Sequence, residues 1–254
     1  MIPKWSSRFE IKPGAWVFVP TEETIKAGQV IKQALSARWK PPSNYYHLLS
    51  GGHVEALRAH AGNLWFIHLD IKDFFGSINR SRITRALKNL FGYEQARSIA
   101  NASTVIHPTL GDYILPFGFV QSPLIASVCL HKSALGRCLR DLGKTGVTVS
   151  IYVDDLILST TDLLVAQQAL VAVKHAAERA EFRLNPDKEE GPAEKITAFN
   201  IDLSTKCLAI ETERLAAFVK AFQAAESSHQ QLGILGYVAS VSLVQAEEIQ
   251  AHPH

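Results

Sequence analysis

The chain has 254 residues, 47% of them hydrophobic and 20% charged, with a net charge of +2. That length buries a sizeable core in one large domain or two closely packed ones, and the balance excludes a disordered, fibrous or membrane-spanning chain. Three cysteines without a CxxC pair and ten scattered histidines argue against a disulfide frame or a Cys/His metal site, and the thiols are expected to be reduced and buried.

The N-terminus, Met1-Ile2-Pro3-Lys4-Trp5, lacks the apolar stretch of a secretory signal, so a cytoplasmic protein without membrane contact is expected. The positive charge is uneven. Lys4, Arg8, Lys12, Lys26, Lys32, Arg38 and Lys40 crowd the first forty residues against Glu10, Glu22 and Glu23, and Lys72, Arg80, Arg82, Arg85 and Lys88 form a second group. Each group reads equally as a solvated face or as part of a nucleic-acid surface.

In chain order, a short strand over Ala15 to Val19 precedes a helix from about Glu22 to Trp39, with Thr21 as N-cap and Pro41-Pro42 as stop. A short helix covers His53 to His60. The apolar run Leu64 to Leu69 reads as a buried strand ending at Asp70. Helices follow at Arg80 to Leu90 and Glu94 to Thr104, then a hairpin over His107 to Leu115 and one long helix from Pro123 to about Leu142. Val147 to Val153 and Leu156 to Ser159 read as two strands separated only by Asp154-Asp155. A helix over Asp162 to Ala180, strands at Ile196 to Leu203 and Cys207 to Ile210, and helices at Thr212 to Glu226 and Leu232 to Gln250 complete the chain. The middle order of strand, helices, hairpin, helix and strand suits an α+β fold with a ferredoxin-like split βαβ sheet.

Within that sheet the strand of Asp70 would lie beside the hairpin, although 84 residues separate Asp70 from Asp154. Neighbouring strands are about 4.8 Å apart, so Asp70 would face the hairpin turn. Two adjacent aspartates at the tip of an apolar hairpin are costly unless something positive binds them. Paired aspartates in turns are also common because Asp tolerates turn geometry, so the case rests on the whole set. Three converging carboxylates suit Mg²⁺ or Mn²⁺ and two-metal phosphoryl transfer.

Four segments carry a family resemblance. Tyr152-Val153-Asp154-Asp155 resembles the YxDD motif of reverse transcriptases, and Leu69-Asp70-Ile71-Lys72-Asp73-Phe74-Phe75-Gly76-Ser77-Ile78 resembles their first catalytic motif, as in retron and group II intron enzymes. Leu115 to Pro123 is similar to the LPxGxxxSP segment, and Leu184-Asn185-Pro186-Asp187-Lys188 to the lysine-bearing motif that follows. The resemblance spans roughly residues 50 to 250. It implies a right-hand polymerase divided into fingers (1–63), a first palm strand (64–79), a fingers/palm insertion (80–116), palm (117–205) and a short helical thumb (206–254).

It further implies that Asp70, Asp154, Asp155 and the Ile71 carbonyl hold two Mg²⁺ ions, with Mn²⁺ as the alternative. Phe75 would be the gate that selects dNTPs by excluding the ribose 2′-hydroxyl, and Phe74 its core-facing neighbour. Gly118, Gln121, Ser122, Lys188, Lys72 and Asp73 would lie on the nucleotide side of the site, with Lys188 contacting the triphosphate or protonating the departing pyrophosphate. The chain departs from the family where an arginine normally grips the triphosphate: here Lys12-Pro13-Gly14-Ala15-Trp16 stands, with Lys12 as the available cation, and Phe117 replaces a residue that is polar in many relatives.

The implied partners are dNTPs, an RNA template, including a dedicated non-coding RNA, and a DNA product. A protein partner or second copy of the chain would complete the short thumb. Gly51 to Leu57 with His60 is also similar to bacterial reverse transcriptases related to retrons and phage defence. Two other readings stay open: a palm nucleotidyltransferase making untemplated or protein-primed polymer, and a non-catalytic RNA-binding scaffold.

Overall fold

The computed structural model describes residues 3–251; Met1-Ile2 and the last three positions of the expected thumb lie outside them. A hairpin of β1 (Trp5–Lys12) and β2 (Ala15–Pro20) leads to α1 (Glu22–Arg38) and α2 (Gly52–Arg58). Next come β3 (Trp65–Asp70), α3 (Arg80–Phe91), α4 (Tyr93–Ser103), the small hairpin β4 (Val105–Ile106) and β5 (Tyr113–Ile114), α5 (Ser122–Lys132) and α6 (Ala134–Lys144). The hairpin β6 (Thr148–Tyr152) and β7 (Asp155–Thr160) precedes α7 (Leu163–Arg179), β8 (Glu190–Ala193), β9 (Lys195–Ala198), β10 (Ile201–Ser204), β11 (Cys207–Ile210), α8 (Thr212–Gln223), α9 (Ser228–Val241) and α10 (Leu243–Ala251). Among the described residues no helix is long and apolar enough to cross a membrane.

The central sheet has the order β6-β7-β3-β8, antiparallel at every junction. That is the ferredoxin-like order expected from the sequence, with the first strand of the unit between the hairpin and the last strand. The last strand, however, is β8, where no strand was expected, and the expected strand over Ile196 to Leu203 lies in the separate sheet β11-β10-β9. Alternation along β3 separates two interiors. Ile67 and Leu69 join the larger core beneath α3, α5, α6 and α7, whereas Phe66 joins Ile157 in a second core under β9, β10, β11 and the last three helices. His68 and Asp70 share the second face, where a charged or polar side chain needs a partner.

Local chemistry explains most boundaries. The Thr21 hydroxyl accepts the Thr24 N–H at the start of α1, and Asp162 Oδ1 accepts the Leu164 and Val165 N–H groups at the start of α7. Inside the core, His60 is fully buried between Ser159 Oγ (2.6 Å) and Ser150 Oγ (2.8 Å). Ser150 donates to the Ala56 carbonyl, so Nε2 must donate to Ser150 and Nδ1 accept from Ser159. Burial pushes the His60 pKa down to about 3, which keeps this tie between α2 and the hairpin neutral.

Four sequence expectations need correction. The expected helix from Pro123 to Leu142 is two helices, because Ser133 is extended and caps α6 by accepting the Gly136 N–H. Gly136 packs so closely that a Cβ would stand 2.1 Å from the Leu130 carbonyl oxygen. The helix expected over Leu232 to Gln250 breaks likewise at Ser242, giving three terminal helices instead of two. The strand expected over Ile196 to Leu203 folds back at Phe199-Asn200, both at φ 58, a two-residue hairpin turn. Of the cysteines, Cys129 is buried, Cys138 half-buried and Cys207 exposed, so the expectation of buried thiols fails at the last.

Candidate active site

The end of β3 and the β6–β7 turn form one corner. Asp70 lies opposite Asp155, which lies opposite Tyr152 across the hairpin. The turn itself is therefore Val153-Asp154, one residue earlier than the sequence suggested. The Ile71 N–H donates to the Asp154 carbonyl (2.9 Å), tying the strand end to the turn. Val153 has φ 59, a strained conformation for a β-branched residue. His47 braces it: its Nδ1 accepts the Val153 N–H (3.0 Å) and its Nε2 meets Ser127 Oγ (2.8 Å). Burial drives the His47 pKa down to about 4, which leaves Nδ1 free to accept.

Each carboxylate has a different setting. Asp70 is 4% exposed; its Oδ2 accepts from Lys188 Nζ (2.7 Å) and its Oδ1 from Asn185 Nδ2 (3.2 Å). This contact raises the Lys188 pKa. Asp155 Oδ1 faces His68 Nε2 at 2.8 Å, and His68 Nδ1 donates to the Thr197 carbonyl at 3.1 Å. Asp154 has no such side-chain partner among the described residues: burial, then the charges of Asp155 and Asp70, push its pKa up to about 6, against the smaller opposing pull of its own backbone N–H. His47 and His68 were missed in the sequence because neither lies in a recognised motif, although His68 stands two residues before Asp70 and so on its face of the strand.

A cavity of about 160 Å³ adjoins the corner, lined by Lys12, Asp73, Phe75, Phe117 and Asp154 among others. Phe75 and Phe117 meet with ring centroids 5.6 Å apart. Phe74 is 3% exposed and packs against Phe182. Asp73 has φ 48, and burial raises its pKa. Lys72 is exposed, and its N–H donates to the Arg183 carbonyl. Ile71 is fully buried.

Gly118 has φ +111, and a Cβ there would stand 2.4 Å from the Phe18 carbonyl oxygen. The close approach it permits is thus to β2 of this chain. Gln121 and Ser122 are both 1% exposed. The Gln121 amide reaches Ser103 Oγ at 3.3 Å and fills the space beside Gly28, so it faces the α1–α4 packing, and neither residue lines the cavity.

The corner gathers three carboxylates around the Lys188 ammonium, and burial with the neighbouring carboxylate charges raises the Asp154 pKa. Such a donor set fits Mg²⁺ or Mn²⁺. As the side chains stand, Asp70 is turned to Lys188 and Asp155 to His68. Among the described residues no three His, Cys, Asp or Glu side chains close on one point. Ion binding therefore requires Asp70 to leave Lys188, whereas Asp155 can bind through Oδ2 with Oδ1 still held by His68.

Comparison with known proteins agrees with this geometry. The family model "Reverse transcriptase (RNA-dependent DNA polymerase)" matches residues 21–237. The chain is 26% identical over 214 residues to the retron Mx65 reverse transcriptase of Myxococcus xanthus, covering 75% of this chain and 49% of that protein. It is 31% identical over 111 residues to the retron Ec73 reverse transcriptase of Escherichia coli, covering 41% and 35%. The chain thus spans half or less of these curated relatives. Among solved structures it resembles the telomerase of Candida albicans with a telomeric RNA fragment (TM-score 0.55, 12% identity, 89% of this chain and 48% of that one). It also resembles a foamy viral protease-reverse transcriptase with double-stranded DNA (TM-score 0.52, 14% identity, 100% and 50%). These structural likenesses show a shared polymerase fold. With the paired aspartates at its centre and the family match running through most of its length, the chain belongs to the reverse transcriptase (RNA-dependent DNA polymerase) family.

Proposed function

We propose that the chain catalyses template-directed DNA synthesis from dNTPs on an RNA or DNA template, by two-metal phosphoryl transfer. The observation that carries this reading is the juxtaposition of Asp70 and Asp155 beside Asp154, next to a cavity walled by Phe75. Asp70, Asp154, Asp155 and the Ile71 carbonyl would hold the ions. When bound, two divalent cations supply a lowered pKa for the attacking hydroxyl and neutralise the developing charge. The primer 3′-oxygen forms the new bond to the α-phosphorus as the bond to the bridging oxygen breaks, and pyrophosphate leaves. Lys188, displaced from Asp70, would turn to the triphosphate or give its proton to the pyrophosphate. Lys12 would supply positive charge from the β1–β2 hairpin.

In this reading residues 1–63 and 80–116 form fingers, 64–79 and 117–205 palm, and 206–254 thumb. Similarity to two retron enzymes supports a bacterial setting with a dedicated RNA, and we place the chain in phage defence, testable by plaque counts with and without an intact Asp155. The sugar gate gives the sharpest test. Phe75→Ala should raise ribonucleotide incorporation relative to dNTP by about 10- to 100-fold (roughly 1.4–2.8 kcal/mol). Unchanged sugar discrimination in a competition assay would reject Phe75 as the gate.

A further inference from the structure

A cluster of positive charge lies away from the catalytic corner. Arg82 and Arg85 on α3, Lys132 at the end of α5 and Arg179 at the end of α7 line a cavity of about 270 Å³, together with Cys129 and Glu181. Four cations against one carboxylate leave three positive charges uncompensated there, while the whole chain carries only +2. The rest of the protein therefore carries a net charge of about −1, so this excess stands out against a slightly acidic remainder.

The compensation inside the cavity is weak. Arg82 reaches Glu181 only at 3.4 Å (backbone oxygen) and 3.5 Å (carboxylate), and the Glu181 side chain is 85% exposed. The Arg82 guanidinium is instead held by stacking, 4.4 Å from the centre of the Phe182 ring. Burial lowers the Arg82 pKa, and the charge of Arg85 lowers it further. Arg85, Lys132 and Arg179 stand exposed around the rim. Three helices distant in sequence thus direct like charges at one depression, an arrangement stabilised by an anion.

The cavity is separate from the nucleotide pocket. It opens among α3, α5, α6 and α7, the helices on the Ile67 and Leu69 face of the sheet, whereas Asp70 lies on the other face. Between the two stand Phe182, Phe74 and Phe75, with centroids 5.7 Å and 5.6 Å apart.

We infer that this cavity is a second, non-catalytic nucleic-acid site that seats a phosphodiester of a polynucleotide backbone. Guanidinium groups match phosphate oxygens in pairs, and the volume suits one phosphate with part of its sugars. No aromatic ring lines the cavity, so it offers unpaired bases nothing to stack on, and contacts to backbone alone carry no sequence information. The fitting ligand is a helical stretch of nucleic acid that crosses the rear of the sheet and fixes the chain on it.

The test uses the full chain with a fluorescent 20-base-pair RNA hairpin and a DNA hairpin of the same sequence, titrated at several salt concentrations. The Arg85→Gln/Lys132→Gln/Arg179→Gln variant should bind about tenfold more weakly, and its log–log salt dependence should be shallower by about one, the share of the one phosphate seated there. Arg85→Lys/Arg179→Lys should keep the wild-type slope, and equal thermal midpoints establish that all variants are folded. Hairpin binding should also protect Lys132 from acetylation, read by mass spectrometry. Wild-type affinity and slope in the triple variant would overturn the inference, as would protection of Lys132 by inorganic phosphate or pyrophosphate with none by either hairpin.

Discussion

Strand β3 presents two different kinds of surface. On one side Ile67 and Leu69 are at most 1% exposed within a dry core under helices. On the other, His68 and Asp70 are almost as deeply buried, at 7% and 4%, yet each polar atom has a named partner: Thr197, Asp155, Lys188 or Asn185. The first side is held by area removed from water, which many side chains of similar volume provide. The second depends on specific donors and acceptors, since a buried polar group without one costs ~1–3 kcal/mol. Packing sets where the carboxylates stand, and the paired face sets what they do.

Substitutions on the two sides should separate these roles. The largest expected effect is on chemistry. Asp155→Asn or Asp70→Asn should lower primer extension by at least ~10³-fold, on the order of 4 kcal/mol, with the fold retained in circular dichroism. Extension within tenfold of wild type would remove the aspartates from the mechanism. On the other side, Leu69→Ala should cost about 2–5 kcal/mol of stability in urea unfolding, while activity per folded molecule stays near wild type. Loss of activity without loss of stability there would erase the distinction between the two sides.

Much of this contrast was legible in the sequence. The apolar run into Asp70, the hairpin before Asp155 and the Thr21 and Asp162 caps are local signals, and the placing of β3 beside the hairpin followed from them, whereas the edge strand β8, Glu190 to Ala193 with its Gly and Pro, carried no strand pattern. The breaks at Ser133 and Ser242 were missed because each serine caps a helix within an otherwise continuous helical pattern. The fold-back at Phe199-Asn200 was missed because apolar residues on both sides read as one strand. Side-chain direction was least legible. Gln121 lies within a motif, yet its amide is set by Gly28 and Ser103 on α1 and α4, contacts that no local pattern announces.

A smaller effect should appear in the metal-free protein. The Asp154 pKa stands at about 6 against 3.8 for the free group, so the folded state binds more protons between these values. Stability then falls as pH rises across that window, and the ionised carboxylate remains a cost above it. Asp154→Asn should accordingly raise stability at pH 8 in EDTA by up to ~3 kcal/mol (about two pKa units at ~1.36 kcal/mol each), with the gain gone below pH ~4. Equal midpoints for variant and wild type at pH 8 would mean that the corner holds its charge without strain.

The smallest effect should come from His68, which links the two kinds of surface. Its ring is fixed by the Thr197 carbonyl on one nitrogen and Asp155 on the other, so it aims a carboxylate without itself lining the cavity beside Phe75. Residues that orient a metal-binding side chain typically contribute ~10- to 100-fold to affinity or activity. His68→Leu keeps the bulk and removes both hydrogen bonds; it should lower kcat about tenfold and raise the Mg²⁺ concentration needed for half-maximal rate, with little change in KM for dNTP. His68→Gln, which restores a donor towards Asp155, should recover part of the loss. A leucine variant with wild-type kcat and metal requirement would show that β3 and β7 alone aim Asp155; a change in dNTP KM alone would instead place His68 within reach of the nucleotide.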